Sequence, residues 1–263
     1  MPQPDCRPLS IHPVIRASLL TAWTVVAIPG ARAAYPLVVD DAGVHPPAES
    51  EWVVSVDAMR IPATGSLAQN FALALGLRPG LEGSLGLGYG WVRDRSPSGS
   101  PTRDGLLDLS FGLKAPLLLG EAAPFAFTLS TTVKLPTASA RLGLGTGFAD
   151  LGMVAIATRS WGALSLDLNG GFTWTALGRR AVRPGDTGFT GTALRWQAGE
   201  RLMFFAETYA VLPVEGISRP AGVVRVGWQW ALRPSVLLGG AIGTGYGRGS
   251  DEALGTIGLT FIY

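Results

Sequence analysis

Only three residues in 263 carry an imidazole or a thiol: His12, His45 and Cys6. Serine hydrolysis on a barrel or any other scaffold needs an imidazole held against the nucleophile. Cys6 and His12 precede the apolar stretch Ala17 to Ile28, and His45 stands seven residues ahead of the first strand pattern. Tetrahedral metal sites fail for the same want of ligands. Asp40-Asp41 and Asp104/Asp108 are acidic pairs without a partner in the pattern, and read as solvated loop and lumen groups. Gly143-Leu144-Gly145-Thr146-Gly147 has the look of a phosphate loop, but lacks the Lys-Ser/Thr ending and opens no helix. Arg179, Arg180 and Arg183 form the one basic cluster. It reads either as a contact for lipopolysaccharide phosphates, through charge-assisted hydrogen bonds, or as a solvated loop. This supply points away from an enzyme and calls for no metal and no cofactor.

The beginning of the chain is an export signal. Arg7 and Arg16 give a basic start, Ala17 to Ile28 an apolar run, and Ala31-Arg32-Ala33 a small-x-small cleavage site. The run is far shorter than the ~20 residues of a spanning helix. Residues 1–33 are therefore expected to be removed, and Arg7, Arg16, Arg32 and Asp5 with them, leaving eighteen basic and eighteen acidic side chains. A balanced chain has no electrostatic claim on nucleic acid. Cys6 goes with the leader, so disulfides are excluded as well.

Beyond the leader, hydrophobicity alternates with period two. Leu85, Leu87, Tyr89 and Trp91 interleave with Ser84, Gly86, Gly88 and Gly90; Phe125, Phe127, Leu129, Thr131, Val133 and Leu135 interleave with Ala126, Thr128, Ser130, Thr132 and Lys134. Such spacing puts alternate side chains on opposite faces of a strand. One face is bulky and the other small or polar, and Lys114 and Lys134 are the only lysines. A soluble sandwich shows charge to water, whereas a membrane barrel shows its bulky face to lipid and keeps the small, polar one for the lumen.

The expectation is an all-β, closed antiparallel transmembrane barrel of about twelve strands over 51–263, near 52–60, 70–78, 83–92, 105–116, 125–135, 148–158, 163–174, 189–197, 202–211, 222–232, 236–245 and 254–263. Ten residues tilted near 45° rise roughly 24 Å, about the height of a barrel's apolar band. Tight turns such as Pro79-Gly80 and Arg233-Pro234 alternate with polar loops at 61–69, 93–104, 136–147, 175–188, 212–221 and 246–253. That asymmetry places both termini in the periplasm. The tryptophans fall near strand ends, as interfacial belts require. Residues 34–50 form an N-terminal segment too short for a plug domain; whether it stays in the periplasm or enters the lumen as a strap is open.

Parity sends Asp57, Asp108, Lys114, Lys134, Asp150, Asp167, Arg195, Glu207, Arg225 and Gln229 inward, where charges inside a membrane span normally face a cavity or one another. Met203, Phe205 and Tyr209 share the parity of Glu207 and give an apolar wall. The candidate lumen and substrate path is Lys134, Asp150, Arg195, Phe205, Glu207, Tyr209 and Arg225, with loop 136–147 as constriction.

Residues Lys134-Leu135-Pro136-Thr137, Gly145-Thr146-Gly147 and Asp150, within Phe125 to Trp174, resemble the bacterial outer-membrane family of transporters linked to phenol degradation. Leu259, Phe261 and Tyr263 look like the alternating, aromatic-ending tail read by barrel-assembly machinery. The resemblance implies a location in the outer membrane, among lipid and lipopolysaccharide, and passive passage of small hydrophobic or aromatic solutes. A structural or surface-interaction barrel with a plugged lumen is the alternative.

Overall fold

The computed structural model describes residues 35–61, 64–94, 102–118, 125–177, 185–214, 221–247 and 253–263. The expected leader and the cluster Arg179, Arg180 and Arg183 lie outside these residues. The described chain is all β apart from a 3₁₀ turn at Ala140–Leu142, and none of its helices is long and apolar enough to cross a membrane.

Twelve strands form a single closed antiparallel sheet. They are β1 (Ser50–Ile61), β2 (Thr64–Arg78), β3 (Leu81–Asp94), β4 in two stretches (Arg103–Leu106 and Leu109–Leu118), β5 (Ala126–Leu135) and β6 (Asp150–Trp161). The second half comprises β7 (Leu164–Trp174), β8 (Thr187–Gln197), β9 (Leu202–Pro213), β10 (Ala221–Arg233), β11 (Val236–Tyr246) and β12 (Ala253–Ile262). Each strand pairs with its successor, and β12 returns to β1 from Glu51↔Ile262 to Arg60↔Ala253. Closure leaves no edge, so every strand's backbone groups are satisfied within lipid.

The expected parity holds. On β10, Val223 and Arg225 are 0% and 6% exposed, while Val224, Val226 and Trp230 are 46%, 52% and 48% exposed. Aliphatic and aromatic side chains thus clothe the outside, and Trp52, Trp161, Trp174 and Trp196 are also exposed there, near strand ends. An apolar exterior around a closed ring of strands is the construction of an outer-membrane protein.

Two details depart from the sequence reading. The polar stretch 61–69, expected as a loop, is largely strand: Thr64 pairs with Ile61 and Gln69 with Val56, so β1 and β2 form a long hairpin. Polar composition marks where strands leave the apolar band, and not where pairing stops. Strand β4 is broken at Leu107-Asp108, where Leu107, Asp108 and Leu109 stand against Leu87 and Gly88, one residue in excess. This bulge turns Leu107 over Gly88 and Gly90, where added Cβ atoms would lie 3.0 and 2.9 Å from its methyl carbons.

Candidate functional site

The lumen is occupied by the chain's own N-terminal segment. Residues 35–49, hereafter the strap, run round the inside of the barrel and reach every strand in turn. Tyr35 starts at β10 and β12: its carbonyl accepts from Gln229 Nε2 at 2.8 Å and its hydroxyl lies 2.8 Å from Thr256 Oγ1. Pro36 covers Gly239 of β11 and its carbonyl accepts from Arg225. Glu207 of β9 accepts from the amides of Val38 and Val39, both at 2.9 Å, and holds Arg225 at 3.3 Å. Asp40 exchanges two hydrogen bonds with Asn169 of β7 and meets Lys114 of β4 at 2.9 Å. Asp41 reaches Arg195 of β8 at 3.1 Å, and Arg195 also binds Asp167 of β7. The amide and carbonyl of Ala42 bond Thr158 of β6 and Thr128 of β5.

The strap then returns to the wall. His45 is 1% exposed; its amide donates to Glu82 of β3 and its Nδ1 lies 3.0 Å from Glu49 Oε1. Ala48 and Glu49 make backbone bonds to Gly76 of β2, and Ser50 exchanges two with Tyr263. A Cβ at Gly76 would lie 1.9 Å from the carbonyl oxygen of Pro46, so only glycine admits this backbone approach. A strap without regular structure must find partners for its amides elsewhere, and the inward polar side chains of the barrel supply them. Burial raises the Asp40 carboxyl above the ordinary carboxylate range, with Lys114 pulling the other way.

The apolar wall is real but covered. Phe205, Met203, Tyr209, Phe189, Val223, Ala193 and Ala241 form one buried cluster with Leu37 and Val39 of the strap. Phe205 lies over Gly227, and Val39 over Gly191. The inward glycines of this wall serve as sockets: Gly239 and Gly258 receive Pro36 and Tyr35, and Gly243 receives Arg225.

A second cluster closes toward the end opposite the termini. Lys134, 2% exposed, donates to Thr146 Oγ1 at 2.6 Å and meets Asp150 at 2.7 Å and Asp108 at 3.1 Å. Asp108 accepts from the Ala138 amide and Asp150 from the Ala176 amide. Loop 136–147 is thereby tied inward, with Leu144 packed against Val92, Ala138 and Leu107. A Cβ on Gly145 would lie 2.8 Å from Asp108 Oδ1, which explains the glycine there.

Between the two clusters lies a cavity of about 210 Å³. Its floor is Tyr35–Val38, and it extends past Asp57, Asn70 and Gly88 to Met59, Ser66 and Leu254 near the far ends of β1, β2 and β12. Of the seven candidate path residues, Tyr209 and Arg225 line it; Lys134, Asp150, Arg195, Phe205 and Glu207 are buried or half-buried in the contacts described above. Sequence reasoning missed Asp57 and Asn70 as cavity residues, although parity had turned Asp57 inward.

No protein-family model matches the sequence, and no curated protein matches it. Among solved structures, an outer membrane channel from Pseudomonas putida F1 aligns with a TM-score of 0.70 and 15% identity over 85% of this chain and 98% of that one. The NanC porin aligns with a TM-score of 0.56 and 10% identity over 79% of this chain and 98% of that one. The KdgM porin aligns at 0.51 and 8% identity over 80% and 99%. At these identities the likeness is one of fold, the closed barrel of outer-membrane proteins.

Proposed function

We propose that this outer-membrane barrel is a passive channel or transporter for small hydrophobic or aromatic compounds, which enter the cavity beside Tyr209 and Arg225. The observation that carries the reading is the cavity itself, about 210 Å³ and walled mainly by apolar groups inside a membrane-spanning barrel. An apolar cavity of about 150 Å³ suffices for benzene. The resemblance of Lys134 to Thr137, Gly145 to Gly147 and Asp150 to transporters linked to phenol degradation supports the same solute class. In this reading residues 1–33 are cleaved on export, barrel-assembly machinery takes up the tail ending at Tyr263, and the termini and short turns face the periplasm. Solute enters from the loop side and leaves when Tyr35–Val38 gives way.

The test is uptake of a single-ring aromatic probe into liposomes holding the purified protein. Wild type should accelerate uptake over empty liposomes, Tyr209→Ala should change the rate, and Arg225→Gln should shift ion selectivity. A barrel that neither conducts ions nor speeds uptake would reject the channel reading. The plugged structural barrel would then stand, a reading favoured by the strap's grip on all twelve strands.

A further inference from the structure

The cavity wall carries three charged groups, and two of them are neutralised. Arg225 is engaged by Glu207 at 3.3 Å and by the Pro36 carbonyl. Asp108 is engaged by Lys134 at 3.1 Å. Asp57 has no ion-pair partner among the described residues. Its hydrogen-bond partners are neutral: the Asn70 amide donates to it, and the hydroxyls of Ser55 and Thr256 bond it, Thr256 being tied in turn to Tyr35, while Arg225, already engaged by Glu207, acts on it from beyond ion-pair distance. These donors place the carboxylate and carry no countercharge of their own. The same cavity is lined by Val53, Met59, Ala68, Leu107 and Leu254, which offer a solute apolar contact.

A negative group in an apolar enclosure is costly unless a cation meets it, and attraction is strongest where water is excluded. We infer that the cavity selects small apolar amines, holding the ring or short aliphatic body against the apolar wall and the ammonium against Asp57. An anion of the same shape is repelled, and a neutral alcohol gains one hydrogen bond without the charge. The inference rests on the cavity being a solute site and adds what that site prefers.

Three probes of one shape decide it: benzylamine, benzyl alcohol and benzoate, titrated calorimetrically into the protein in nanodiscs with empty nanodiscs as blank. Benzylamine should bind at least about ten-fold more tightly than benzyl alcohol, as hydrogen bonds to charged groups allow, and benzoate should not bind. Its affinity in wild type should fall as salt rises. Asp57→Asn should erase the amine preference, bringing benzylamine to the affinity of benzyl alcohol, and Asp57→Glu should restore it. Equal affinities for amine and alcohol in wild type, no binding of either, or a preference surviving in Asp57→Asn would each overturn the inference. If liposome uptake of the neutral probe persists without an amine preference, only this inference fails. If amine binding is intact and no probe is taken up, only the channel reading fails.

Discussion

Lys134 is the residue on which the loop-side mouth turns. Its ammonium serves Asp108, Asp150 and the Thr146 hydroxyl, which belong to β4, β6 and loop 136–147. Removing one partner of a buried charge cluster typically costs 3–5 kcal/mol, because the charges left behind are unpaired. Lys134→Met should therefore lower the thermal unfolding midpoint in detergent and, with the loop untied, raise single-channel conductance; an unchanged midpoint and conductance would refute this role. Gly76 makes the complementary case. A side chain there has no room beside Pro46, so Gly76→Val should detach the strap from β2 and expose it to protease while the barrel still forms. Parity in the sequence placed these charges on the inner face, and the motif joined Lys134 to Asp150. The sequence named no pairs: it put Asp167 and Arg195 on one face of neighbouring strands, and the structure joins them. For Lys114 even a shared face was out of reach, because its partner Asp40 comes from a segment with no periodicity.

At the scale of elements, the strap is the feature that the pattern left open. Its amides are satisfied by side chains scattered over the barrel, Glu207, Asn169, Thr158 and Glu82 among them. Nothing local in residues 35–49 records those partners. Glu207 is the principal anchor, since it caps two strap amides and pairs with Arg225. Glu207→Ala should release Val38 and Val39, increase conductance and lower thermal stability by several kcal/mol. Conductance equal to wild type, with stability lowered, would mean that the strap holds without this anchor. The strands themselves were legible because period two survives along each of them. The β1–β2 hairpin was misjudged because polar residues outside the apolar band imitate a loop, and the β4 bulge because one surplus residue leaves the alternation intact on both sides.

For the whole molecule, closure at β1 and β12 decides whether the barrel exists in lipid. Phe261 pairs with both Trp52 and Val236, and Tyr263 exchanges backbone bonds with Ser50. Deleting Phe261 to Tyr263 should therefore abolish membrane insertion and the gel shift between heated and unheated samples. Normal outer-membrane levels of the truncated chain would contradict this. The same seam bears on how the molecule comes to be. The strap lies on the inner side of all twelve strands yet precedes them in the chain, continuous with β1 at Ser50. It is captive once the seam zips, and can leave only by sliding endwise through a mouth. Docking before the seam closes spares the strap that passage, and makes it a mandrel on which the wall is wound. A polypeptide fused ahead of Tyr35 would have to be threaded out through that same confined opening, whereas a fusion after Tyr263 would already lie outside.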